Sequence, residues 1–194
     1  MLTVDFQQVG ADIFQRGIAS SHGGNLSVRL GDHLLITRRW AQLGHLTDND
    51  VVETGVAHND RGTPVASSEL AVHRAIYQGT NAQAVVHAHP AYATALSLLQ
   101  DVIEPIDAQG RQLGRVPIIG ATTIDDVKDE LDGVVEGLKE HPVVVVRGHG
   151  TFAIGQLLHE AWGWTSVLEE SCRILTTTEL LRAARRGEPS VRPN

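Results

Sequence analysis

Two imidazoles stand two residues apart in His87-Ala88-His89, directly after the apolar run Ala84-Val85-Val86 and directly before Pro90. Strand side chains alternate faces, so both rings point to one side of a strand whose pairing Pro90 stops. Neutral imidazoles aimed into one space are a start on a zinc or similar transition-metal site. A catalytic zinc takes about three protein ligands and keeps one position open, which calls for a third donor at another strand end. His149 is the candidate: it follows the apolar run Val143 to Val146, and its flanking Gly148 and Gly150 let backbone and ligands approach closely. The chain has ten histidines, so a His-x-His by itself could be coincidence. Its place at a strand end and the Gly-His-Gly partner are what mark it.

Proton chemistry at such a metal needs a base, and Glu69 in Ser67-Ser68-Glu69 is the candidate. The position is a helix start, where the macrodipole stabilises a carboxylate, and that alone can account for a glutamate there. His73 lies one turn further along the same face, either in contact with Glu69 or as an ordinary surface histidine.

The elements that must carry these residues can be read from periodicity. Phe6, Val9, Ile13 and Phe14 share one face of a helix over about Asp5 to Gly17. Residues 26–29 and 33–37 form two strands around a Gly31-Asp32 turn, and Val51 to Thr54 a third. Ser67 or Ser68 caps a helix carrying Leu70, Ala71, Ile76 and Tyr77. After the His-x-His strand, Ala91 to Leu99 is helical, and Glu104 to Gly120 is irregular apart from an edge strand over Val116 to Ile119. Thr123 caps a helix with the stripe Ile124, Val127, Leu131, Val134, Val135 and Leu138. Strands over Val143 to Val146 and Thr151 to Ile154 follow. A last helix, about Leu157 to Ala184, buries Leu157, Ala161, Leu168, Cys172 and Leu175, before a tail from Gly187 that should fray.

Composition bounds the setting. A chain of 194 residues, 42% hydrophobic and without an evident linker, is expected to form one domain over 1–194. A net charge of −7 with no long basic run argues against nucleic acid and anionic membrane as partners. Only one cysteine, Cys172, is present, and no targeting or membrane-spanning pattern is evident, so a soluble cytoplasmic protein is expected.

Taken in order, Gly23-Gly24-Asn25-Leu26-Ser27-Val28-Arg29, Leu35-Ile36-Thr37, Ser67-Ser68-Glu69, Ala84-Val85-Val86-His87-Ala88-His89-Pro90 and Gly148-His149-Gly150 resemble the class II aldolase/adducin family across nearly the whole chain. The resemblance implies a three-layer α/β/α sandwich with a largely antiparallel central sheet, assembled as a homotetramer with active sites between subunits. It implies one Zn2+ per subunit on His87, His89 and His149, with Glu69 as catalytic acid/base. It also implies a small sugar-phosphate substrate held at Gly24, Asn25, Ser67 and Ser68, where amides and hydroxyls near a helix start suit an anion. The activity implied is reversible cleavage of a ketose 1-phosphate, like fuculose 1-phosphate, to dihydroxyacetone phosphate and an aldehyde. Family alternatives are a pentulose-phosphate 4-epimerase, a methylthioribulose-phosphate dehydratase, or a non-catalytic adducin-like scaffold.

An enediolate has to be stabilised either through an iminium on lysine or by a Lewis-acid metal. The only lysines, Lys128 and Lys139, are remote in sequence from every motif above, which favours the metal. Two stretches depart from the family pattern. Arg38-Arg39-Trp40 stands where many phosphate-using members have a small residue followed by glycine; the arginines suit phosphate or carboxylate, while Trp40 either fills the pocket or packs at a subunit contact. The tyrosines that some relatives use to protonate the aldehyde oxygen have no counterpart: Tyr77 and Tyr92 are the only two. The loop after the His-x-His helix offers Asp107, Gln109 and Arg111 instead.

Overall fold

The structure is a computed structural model that describes residues 2–121 and 130–187. Thr123, Ile124, Val127, Lys128 and the tail from residue 188 lie outside the described residues. In chain order the elements are α1 (Leu2–Gln15), β1 (Asn25–Leu30), β2 (His33–Thr37), β3 (Val51–Gly55), α2 (Leu70–Gly79), β4 (Ala84–Ala88) and α3 (Ala91–Ser97). They continue with β5 (Val102–Ile103), β6 (Val116–Ile119), α4 (Leu131–Glu140), β7 (Val143–Val146), β8 (Gly150–Gly155) and α5 (Leu158–Gly187).

The strands form one eight-stranded sheet in the order β3-β2-β1-β4-β8-β7-β6-β5. The sheet is mixed: β6 and β7 run parallel, whereas every other neighbouring pair is antiparallel. The expected largely antiparallel sheet is thus mixed at this one pair, where the long connection through α4 brings the chain back in the same direction. The expected edge strand at Val116 to Ile119 is also corrected. It is β6, one place in from the edge that β5 occupies.

Alternation along the central strands divides the core in two. Ala84, Val86, Ala88, Val143 and Val145 pack with Phe6, Ile13 and Leu168 of α1 and α5, whereas Val85, Val144, Val146 and Phe152 pack with Ile76 and Tyr77 of α2 and Val134 and Leu138 of α4. β4 and β7 are buried along their whole length, so both faces are apolar and each valine contributes about 1.5–3 kcal/mol of burial. Three side chains depart from the sequence reading. Ala71 faces solvent, because Val72 and His73 take the inward positions of α2; Phe14 is 39% exposed, lying over Gly44; Leu157 is 55% exposed, just ahead of α5. Among the described residues, no helix is long and apolar enough to cross a membrane.

Candidate metal centre and active site

β4 carries His87 at full burial, and His89 follows one residue beyond the strand. The ring of His87 is fixed on two sides. Its Nδ1 lies 2.9 Å from the Thr151 carbonyl of β8, and its face stacks on Phe152 with centroids 4.3 Å apart. A carbonyl only accepts, so Nδ1 carries the proton and Nε2 is left as a bare lone pair. That nitrogen lies 2.8 Å from His89 Nε2 and 3.2 Å from Glu69 Oε2.

His149 enters from the turn between β7 and β8, with its Nε2 3.0 Å from Glu69 Oε1. This turn is clamped to the end of α3. The buried Arg147 guanidinium donates to the Ser97 and Gln100 carbonyls, and Gly148 N–H donates to Ser97 Oγ at 2.9 Å. Glycine is required beside the cluster at two places. A Cβ on Gly150 would come within 2.4 Å of the Ala88 carbonyl oxygen, and Gly24, at φ +80°, would place one 2.7 Å from the His87 carbonyl oxygen.

The donor set fits a transition metal. Ring nitrogens of His87, His89 and His149 lie within 4.8 Å of one another. Burial disfavours charge on His87 and pushes His89 down to about 3, so both present the neutral imidazole that metals bind. The Nδ1–H bond of His87 to a backbone carbonyl is the outer support expected of a ligating histidine.

Glu69 precedes α2 as its cap residue rather than sitting in its first turn, and its backbone N–H is held by Ser67 Oγ at 3.2 Å. Burial would raise its carboxyl, but neighbouring His87 and the hydrogen bonds from His149 and Asn25 outweigh it and hold the group well below the usual carboxylate range. Asn25 Nδ2 donates to Glu69 Oε2 at 2.7 Å. Glu69 is therefore ionised and held from both sides.

A cavity of about 360 Å³ opens over this cluster, and it brings together Gly24, Asn25, Arg38, Arg39, Ser67, Ser68, Glu69, His87 and His89. The backbone of the arginine segment is pinned: Arg38 N–H donates to the Asp50 carbonyl and Arg39 N–H to the Val65 carbonyl. Both side chains are exposed, and that of Arg38 reaches the Asn49 carbonyl at 3.3 Å, whereas the Arg39 side chain has no hydrogen-bond partner among the described residues. Trp40 is 76% exposed and adopts φ +66°, a left-handed conformation that glycine adopts freely and that costs other residues about 1–2 kcal/mol.

Other candidates are not brought to the cavity. Asp107 Oδ1 caps its own turn by accepting from Gln109 and Gly110 N–H, and neither Asp107, Gln109 nor Arg111 lines the cavity. Tyr92 is 38% exposed on α3, and Lys139 pairs with Glu136 on α4. A larger cleft of about 570 Å³ lies at the opposite end of β4 and β8, between Asn81, His141, Gly155 and Trp164. Among the candidate residues above it takes in only Lys139. His33, His58 and Asp60 form another cluster of metal-ligating types, but Asp60 already accepts hydrogen bonds from Thr54, Gly55 and Gly62 as organiser of its own loop.

One residue went unread in the sequence, and one reading left open there is decided by the structure. His22 sits at the cavity rim, 3.0 Å from Ser21 Oγ and edge-on to Trp40. His73 is fully buried rather than on the surface; its backbone N–H donates to the Glu69 carbonyl, and its ring reaches the Glu69 carboxylate through Asn25. The four-residue spacing of His73 and Tyr77 was the available signal.

Three imidazoles, an ionised glutamate and two arginines at one end of a mixed sheet form a candidate active site. Residues 4–176 match the model of the Class II Aldolase and Adducin N-terminal domain, and the chain belongs to that family. It is similar to the crystal structure of l-fuculose-1-phosphate aldolase from Thermus thermophilus, at 36% identity and a TM-score of 0.88 over 98% of both chains. It is 29% identical to the 3-oxo-tetronate 4-phosphate decarboxylase of Escherichia coli K12, over 90% of this chain and 85% of that one. A further relative is the probable bifunctional methylthioribose-1-phosphate isomerase/methylthioribulose-1-phosphate dehydratase of Nocardia farcinica. It is 30% identical over 86% of this chain, which spans only 34% of that protein.

Proposed function

We propose that the protein is a zinc-dependent class II aldolase that cleaves a ketose 1-phosphate of the fuculose 1-phosphate type to dihydroxyacetone phosphate and an aldehyde. The observation that carries this reading is the convergence of His87 and His149 on the Glu69 carboxylate, with His89 against His87, beside a cavity edged by Arg38 and Arg39. His87, His89 and His149 would hold the ion. When bound, it supplies Lewis-acid stabilisation of the negative charge that develops during the reaction.

The remaining work falls to the chain. Asn25 keeps Glu69 aimed into the cavity, so in the condensation direction the carboxylate removes the proton from the carbon that becomes nucleophilic. In the cleavage direction the same group, now protonated, returns that proton to carbon. Arg38 and Arg39, with Gly24 and the hydroxyls of Ser67 and Ser68, bind the phosphate and orient the ketose against Glu69. Lys139, paired with Glu136 on α4, offers no amine to the cavity for an iminium route.

The proposed enzyme is a single-domain, cytoplasmic homotetramer with a three-layer α/β/α subunit and active sites between subunits. Exposed Leu98, Leu99, Leu180 and Leu181 supply apolar surface for such contacts. A second reading, decarboxylation of a phosphorylated oxo acid, is favoured by the exposed guanidinium pair, which suits a carboxylate as well as a phosphate. One assay separates the two. Purified protein is incubated with phosphorylated and unphosphorylated ketoses and with a 3-oxo acid 4-phosphate, with and without chelator, as wild type and Arg39→Gly. Chelator-sensitive release of dihydroxyacetone phosphate, weakened in Arg39→Gly, supports the aldolase; release of CO2 alone replaces it with the decarboxylase.

A further inference from the structure

The hydrogen bond from Asn25 to Glu69 is the last of a series that begins deep in the core. Asn25 Oδ1 lies 2.5 Å from His73 Nε2, His73 Nδ1 lies 2.6 Å from Ser27 Oγ, and Ser27 Oγ lies 2.7 Å from Tyr77 Oη. Asn25 and Ser27 are two apart on β1 and share a face; His73 and Tyr77 are four apart on α2 and share a face. The two pairs interlock where sheet meets helix. Exposure is 6% for Asn25, 1% for Tyr77 and nil for Ser27 and His73.

The direction of every bond follows from the chemistry at its ends. An ionised carboxylate only accepts, so the Asn25 amide nitrogen faces Glu69 and its oxygen faces His73. That oxygen needs a donor, which places the His73 proton on Nε2. Burial keeps His73 neutral, pushing it down to about 3, so Nδ1 is a bare lone pair that accepts from the Ser27 hydroxyl. Ser27 has then spent its proton and accepts from Tyr77, whose hydroxyl burial holds protonated. Four buried polar side chains are costly unless all are satisfied, and here one polarity satisfies them all.

We propose that His73, backed by Ser27 and Tyr77, is a positioning residue that locks the Asn25 amide with its nitrogen toward Glu69. An amide in the opposite orientation would set Oδ1 against the carboxylate and repel it from its catalytic position. The proposal rests on Glu69 being the acid/base of the function above, but the polarity of the series can be measured without turnover.

Long-range proton–nitrogen NMR of the full chain, with His73 assigned through His73→Gln, should show one His73 tautomer, protonated at Nε2 and bare at Nδ1, at neutral pH. A proton on Nδ1 overturns the proposal. Metal-loaded His73→Leu should keep its metal content and its KM within about twofold while kcat falls about 10- to 100-fold, the range seen when supports of a site are removed. His73→Gln, which retains an N–H donor toward Asn25, should recover most of that loss. Wild-type kcat in a folded His73→Leu, or equal loss in both variants, also overturns it. Where His73→Leu does not fold, Ser27→Ala is the substitute: it should leave His73 in mixed tautomers, and an unchanged single tautomer counts against the series. If wild type cleaves no ketose phosphate, the functional reading fails, whereas the tautomer result still decides whether this series orients Asn25.

Discussion

The histidine cluster at the end of β4 and the Arg38–Trp40 segment face the same cavity but are built in opposite ways. His87 is buried, stacked on Phe152 and bonded to a backbone carbonyl, and the turn that carries His149 is clamped to α3 by Arg147. Arg38, Arg39 and Trp40 have a pinned backbone and exposed side chains. Groups that move protons or hold a metal need fixed distances, which a buried strand end and turns clamped by packing and hydrogen bonds provide. Groups that recognise a substrate can vary at the rim without disturbing the sheet. Similar proteins are named for an aldolase, a decarboxylase and a dehydratase.

The sharpest way to break this contrast is His87→Ala, which should abolish stoichiometric zinc by elemental analysis and with it all turnover. Zinc retained at one per chain would remove His87 from the ligand set. Next, Glu69→Gln should keep its zinc while kcat drops about 10²- to 10⁴-fold, the usual contribution of a positioned acid/base. Undiminished turnover in that variant would dismiss Glu69 as the proton carrier.

A smaller effect concerns pH. His73 is depressed in the folded state, chiefly by burial, with Glu69 opposing and His87 reinforcing the shift. Between about pH 6.5 and about 3 the unfolded chain therefore binds a proton that the folded chain does not, and stability falls as pH falls through that window, by up to about 1.4 kcal/mol per unit for this group. Urea titrations from pH 7 to 4.5 should show a shallower pH dependence in His73→Gln than in wild type; identical slopes would remove His73 as a contributor. The smallest effect is at the rim. Trp40→Gly should hold stability or raise it by up to about 1 kcal/mol, because relief of the left-handed backbone offsets the greater freedom of glycine when unfolded. A loss above about 1 kcal/mol in thermal denaturation would mean that the indole packs as core and does not merely edge the cavity.

Much of the floor was legible in the chain. The period of two in His87-Ala88-His89 and the stop at Pro90 fix both rings on one face, and Gly148 and Gly150 mark where a third could approach. Less legible was His73. A histidine one turn after Glu69 reads equally well as a surface residue, since sequence cannot tell which side of α2 the sheet covers when Ala71 and Val72 compete for it. The order of the strands was illegible too, because two-residue β5 carries too little pattern to reveal that it displaces β6 from the edge.

The sequence by itself determined the residue types, the strand-end spacing of His87 and His89, the shortage of lysines and the family motifs, all of which are local or compositional. Only the tertiary structure decided that Glu69 meets His87 and His149 across 18 and 80 residues of chain, that Asn25 is turned toward Glu69, and that Trp40 holds a glycine-like backbone. Those depend on how β1, β4 and β8 pair and on what α2 packs against. Such long-range contacts are selected by the burial of a whole core, not by any short stretch of residues.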